Sequence, residues 1–282
     1  MALINITLDI VHNEFKKEEP RWFKSHWDNS DKHYLYEECN KENEFDPTNI
    51  RKSLLKNIND STVLECAYGK IHVIYENPLQ QYDIPWGLWG RILRLYSHKG
   101  KPFKIFFLAG TNTREFPKPL PNDDFMPITP YNINGGYTYS CNHETIVIYR
   151  AEDATRVIIH ELQHSCCLDN QALGIDRVEA ETEAWAELIY CALLSRGVHN
   201  MFHKLLQKQS TWIQCQNNRV RNHLKSPMGF PWRYTIGKEE VWRRWNILQP
   251  LRKLMYPTLR LTYPPSNDMK TFFKVSKRST IL

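Results

Sequence analysis

Val157-Ile158-Ile159-His160-Glu161-Leu162-Gln163-His164-Ser165-Cys166, followed after a short loop by Glu179-Ala180-Glu181-Thr182-Glu183-Ala184-Trp185-Ala186-Glu187, decides the reading of this chain. Val157, Ile158, Ile159 and Leu162 supply the apolar flank of a buried helix, and Glu152 or Asp153 is placed to start it. That helix is expected to run to about Leu168. A second, from Arg177 to about Arg196, stops at Gly197, a residue suited to ending helices. On a helix, positions i and i+4 project from one face a turn apart, so His160 and His164 can reach a single ion. Glu161 lies beside them, where a carboxylate can take a proton from a water activated by metal. The same spacing in a loop would mean little.

His-Glu-x-x-His arises by accident in a chain this long and histidine-rich with a probability of about 3%. A catalytic zinc also needs a third protein ligand and an open position. Glu183 follows His164 in the second helix, and Glu187 lies one turn further on the same face. Glu179, one turn before Glu183, shares that face and is the alternative third ligand; Glu181 is on the same helix. Burying two histidines and three carboxylates without a metal would cost on the order of several kcal/mol unless every group were paired. One ion resolves that conflict.

With these residues in place, the chain resembles the gluzincin metallopeptidases, whose third zinc ligand is a glutamate on a downstream helix. The resemblance covers roughly residues 146 to 192. It implies His160, His164 and Glu183 as ligands of one zinc ion, Glu161 as general base, and Glu187 as an acid orienting a ligand histidine. It also implies a zincin-like α+β fold with a small sheet, an active-site helix and a glutamate helix. The strand Ile146 to Arg150 would be the edge that pairs with an extended substrate. The activity implied is hydrolysis of peptide bonds in a peptide or protein substrate. Tyr234 and His223 are candidates to hold the tetrahedral oxyanion, followed by Tyr137, with Tyr139 and His143 behind them. The metzincin pattern fails, since Cys167 and Asn170 stand where it needs a glycine and a ligand; Asp169 is a residue early. Rival classes are an inactive zincin-like binding module, for which Glu161 would have no use, and a zinc hydrolase acting on a non-peptide amide.

Outward from this centre, residues 1–60 read as a polar and aromatic N-terminal extension, 61–150 as a sheet-rich part and 151–282 as a helical part carrying the metal site, all within one domain. Val63 to Cys66, Ile71 to Tyr75, Lys104 to Ala109 and Ile146 to Tyr149 are expected strands, and Trp86 to His98 a helix. Residues 111–130 read as a long proline-rich loop. Met201 to Leu224 and Glu239 to Leu254 are expected helices. A net charge of +6 is too diffuse to announce a nucleic-acid partner. The basic stretch Trp242-Arg243-Arg244-Trp245 reads as a solvated helix face, and it and the tail Lys274 to Arg278 are the places where an acidic partner or nucleic acid could be met. No apolar run approaches the ~20 residues a bilayer demands, and the first residues do not form a secretory signal. Seven cysteines without a paired spacing lead us to expect reduced thiols in a cytoplasmic protein.

Overall fold

The computed structural model describes residues 2–77, 80–97, 101–118, 126–224, 229–263 and 275–277. In chain order, helix α1 (Ala2–Lys16) and strand β1 (Phe23–Lys24) precede helices α2 (Asn29–Asn40) and α3 (Ile50–Leu55). Strands β2 (Thr62–Cys66), β3 (Gly69–Tyr75) and β4 (Gln80–Tyr82) lead to α4 (Trp86–Tyr96) and β5 (Phe103–Ala109). The one-turn helix α5 (Pro130–Ile133), β6 (Gly136–Tyr137), β7 (Ile146–Ile148) and α6 (Ala154–Ser165) follow. The remaining elements are α7 (Ile175–Leu194), α8 (His199–Val220), α9 (Phe230–Tyr234), α10 (Ile236–Arg244) and β8 (Val275–Lys277). The class is mixed α+β, as expected. Two compact units are formed, each from three segments of chain.

The sheet unit comprises Glu18–Asn112, Gly135–Cys167 and Pro264–Leu282. Its six-stranded sheet runs β1-β2-β3-β5-β7-β6. The β3–β5 and β5–β7 pairs are parallel; β1–β2, β2–β3 and β6–β7 are antiparallel. A parallel central strand is covered on both faces, which is why β5 is apolar almost without interruption. Phe106 and Leu108 turn to one face, against Leu35 and Cys39 of α2 and Leu54 and Leu55 of α3. Phe107 turns to the other, edge-on to Trp89 of α4 at 5.4 Å between ring centroids. Trp89 Nε1 donates 2.8 Å to Thr155 Oγ1, joining α4 to the start of α6.

Ile146 to Arg150 is not the edge it was expected to be. β7 lies between β5 and β6, and the terminal strand is the two-residue β6. Local pattern cannot distinguish these positions, because both strands are only two or three residues long. Helices α1, α2 and α3 arise where only a polar extension was anticipated.

The helical unit comprises Met1–Lys17, Thr113–Asn134 and Leu168–Tyr263. α7 packs against α1, α8, α9 and α10. At the α7–α10 crossing a Cβ on Gly237 would lie 2.6 Å from Ala180 Cβ, so only glycine permits this approach. Trp242 fills the same interface and donates 3.0 Å to the Ala184 carbonyl. α7 ends with Gly197 at φ +73°, its N–H bonding back to the Ala192 carbonyl. The helix expected over 239–254 stops at Arg244. Asn246 then takes a left-handed φ of +55°, and α8 side chains satisfy the backbone that follows. Gln214 Nε2 donates to Gln249 O, Gln207 Nε2 to Pro250 O and Gln216 Nε2 to Thr258 O, at 2.8–2.9 Å. These glutamines replace the hydrogen bonds a helix would have made.

Candidate metal centre

The motif helix α6 starts after Asp153, itself left-handed at φ +59°. His160 is buried and His164 half-buried. Their Nε2 atoms lie 2.9 Å apart, with the rings inclined at 73°. Two imidazoles on one tetrahedral zinc, each about 2.05 Å from it, would hold their nitrogens about 3.3 Å apart. The pair therefore fits a shared ion after an opening of a few tenths of an ångström. Glu161, the expected general base, is buried. A Cβ built on Gly136 would stand 3.4 Å from Glu161 Oε1 and 2.8 Å from Val157 Cγ1. The edge strand thus passes over the motif helix with glycine at the point of closest approach.

Because side chains alternate along a strand, Tyr137 faces away from α6. Its hydroxyl donates 2.9 Å to Glu38 Oε1 and accepts from Arg51, in a buried cluster with Asp46. Tyr139 donates 3.1 Å to the same Glu38 oxygen. Both are thereby removed from the oxyanion candidates. His143 stacks on Phe103 at 4.8 Å, and burial holds its pKa below the ordinary histidine value. Arg150 is buried, with Nη1 donating 3.2 Å to Asn112 O.

The carbonyl of His164 accepts two backbone N–H groups, from Cys141 at 2.9 Å and Cys167 at 3.1 Å. Cys141 and Cys167 are joined by a disulfide, which corrects the expectation that all seven cysteines are thiols. Their separation of 26 residues hid the pairing. Cys39, Cys66, Cys191 and Cys215 are free and buried, and Cys166 is half-buried. Burial pushes the Cys39 thiol up to about 12 and that of Cys166 up to about 11.

On α7, Glu179, Glu183 and Glu187 follow at one-turn intervals. Glu187 accepts 2.7 Å from Thr262 Oγ1 and lies 3.5 Å from Lys238 Nζ. Glu183 Oε2 is 4.0 Å from the same ammonium, which also donates 2.8 Å to Leu261 O. Lys238 is fully buried. Sequence reading missed it, since a lysine followed by two glutamates on a helix signals a solvated face. Glu179 is half-buried. Glu181 pairs with Arg244 at the surface. Asp169 accepts 3.1 Å from Thr182 Oγ1.

Of the two foremost oxyanion candidates, Tyr234 is buried on α9 against Phe230. His223 is half-buried, its Nδ1 2.8 Å from Met126 O. A carbonyl only accepts, so Nδ1 carries a proton in this contact. The basic tail Lys274 to Arg278 falls mostly outside the described residues. Among those described, no helix is long and apolar enough to cross a membrane. Comparison with known protein families, curated proteins and solved structures finds no match.

Proposed function

We propose that this chain is a zincin-like, metal-dependent hydrolase of peptide bonds, with His160, His164 and Glu179 holding one divalent ion. Two imidazoles and a carboxylate suit zinc. The observation that carries the reading is the convergence of the two histidine Nε2 atoms on one helix face, with buried Glu161 between them in sequence. Glu179 is the alternative to Glu183 on the same face of α7, one turn earlier. Within the helical unit, Glu183 and Glu187 flank the buried Lys238.

Bound there, the ion would supply the Lewis acidity that lets water attack an amide at neutral pH. Glu161 then acts as general base and returns the proton to the leaving amine. β6 ends the sheet and pairs with β7 antiparallel, which suits the addition of an extended peptide along its other side. Tyr234 and His223 are the candidates to donate to the oxyanion. The test is zinc content and peptide-library cleavage of purified protein. We expect about one equivalent of zinc and chelator-sensitive cleavage, with Glu161→Gln keeping the metal and losing hydrolysis. Full activity in Glu161→Gln, or unchanged zinc in a His160→Ala, His164→Ala double variant, overturns the proposal.

A further inference from the structure

We infer that Cys141 and Cys167 form a thiol–disulfide exchange site, open to dithiol reductants, that sets how firmly the end of the metal-binding helix is held. Only its effect on metal binding rests on the function proposed above.

The bond closes a loop containing β7 and the whole of α6, so the motif helix lies inside one covalent ring. Among the described cysteines this is the accessible pair. Cys141 and Cys167 are both exposed, whereas four of the five free cysteines are buried. Both partners are held left-handed, at φ +61° and +56°, a conformation side-chain-bearing residues rarely adopt. Both backbone N–H groups converge on the carbonyl of His164. Ser165 Oγ donates 2.7 Å to Asn142 O, a further tie between the same two segments. The cross-link, the paired amides and the serine therefore fix the last turn of α6, the turn that carries His164.

In the exchange, a reductant thiolate attacks one Sγ, the Cys141–Cys167 bond breaks, and a mixed disulfide forms. The second thiol of the reductant, as thiolate, displaces the remaining cysteine and closes the reductant's own disulfide. Two electrons and two protons pass to Cys141 and Cys167, which leave as thiols. Unlinked, the two residues can relax from their left-handed conformations and withdraw their amides from His164. The last turn then frays, and the His164 ring is presented less firmly.

The test uses the full chain, oxidised and after treatment with dithiothreitol followed by its removal. Iodoacetamide labelling of the folded protein, read by mass, should show Cys141 and Cys167 blocked before treatment and both labelled after. Hydrogen exchange at residues 164–167 should accelerate on reduction, and equally in a Cys141→Ser, Cys167→Ser double variant. Zinc affinity, measured by competition with a chromogenic chelator, should fall by about tenfold, the scale of losing an outer support of a metal ligand. A pair that resists dithiothreitol while the protein stays folded, or unchanged exchange at residues 164–167 after reduction, overturns the inference. Absence of zinc binding in both redox states would sink the metal reading alone, since labelling and exchange need no metal.

Discussion

Exchanging one carboxylate for its amide at each of two positions on α7 separates a metal ligand from a structural acid. Glu183 lies 4.0 Å from the buried Lys238 ammonium. At an effective dielectric constant of about 20, unit charges at that distance attract by about 4 kcal/mol. Glu183→Gln does not strand the ammonium, because Glu187 at 3.5 Å and the Leu261 carbonyl at 2.8 Å remain. The net loss should therefore be about 1–2 kcal/mol, which lowers Tm by about 2–8 °C for a protein of this size. Glu179→Gln sits at a half-buried position and should cost metal-free protein under about 1 kcal/mol. The assay is thermal unfolding of chelator-treated protein with and without added zinc. At a free zinc concentration of 100 Kd, binding adds about 2.7 kcal/mol of stability. Wild type and Glu183→Gln should show that increment, and Glu179→Gln should not. If Glu183→Gln loses the increment and Glu179→Gln keeps it, the third ligand is Glu183 and our choice on α7 is wrong. If both keep it, neither acid binds the ion.

Two further outcomes follow from the sheet unit. Gly136→Ala places a methyl group 2.8 Å from Val157 Cγ1 and 3.1 Å from Val147 O; we expect a loss of about 1–3 kcal/mol in thermal unfolding. Hydrolysis should fall while zinc content holds, because relieving the contacts with Val157 and Val147 O shifts β6 against the helix that carries Glu161, and a variant as stable and active as wild type would show that β6 does not sit this close to α6. His72, buried between Trp27 and Phe106 with Nε2 3.1 Å from Asp31, is pulled down to about 4 chiefly by burial. Its ordinary value, the one it regains on unfolding, is 6.5, so protonation favours the unfolded chain. Its contribution is complete above that pH and drains away as pH falls toward 4. Melting curves should decline over that window in wild type and less steeply in His72→Phe; parallel declines would place the acid sensitivity elsewhere.

The parts of this molecule legible in its sequence are those whose partners lie nearby along the chain or whose burial is uniform. β5 is legible because a strand covered on both faces can be little else but apolar. α6 and α7 are legible because each carries a sustained apolar flank, with Gly197 to mark where α7 ends. What escaped depends on pairing between distant segments. Nothing in Gly136-Tyr137 announces the last strand of a sheet; its identity comes from β7, several residues downstream. The Cys141–Cys167 bond exists only because β7 and α6 return the chain to where it started. The break after α10 was hidden because the glutamines that satisfy the following backbone sit on α8.

The choice of ligand on α7 shows the same limit at the level of one helix turn. Glu179, Glu183 and Glu187 repeat at four-residue steps, so a helical pattern places all three on one face and ranks none of them. A family's ligand spacing ranks them by analogy, and it selects Glu183. Physical chemistry ranks them by what each carboxylate already faces. A buried ammonium must be balanced by anions, and Lys238 is buried against Glu187 and Glu183. An acid committed to that balance is a poor ligand, because drawing it onto a dication would weaken the compensation of Lys238. Lys238 is 55 residues beyond Glu183 and looks like a surface lysine in its own helix, so the deciding residue is invisible from the motif. Charge balance at Lys238 thus counts against Glu183, and the paired substitutions at 179 and 183 measure whether analogy or charge balance governs the site.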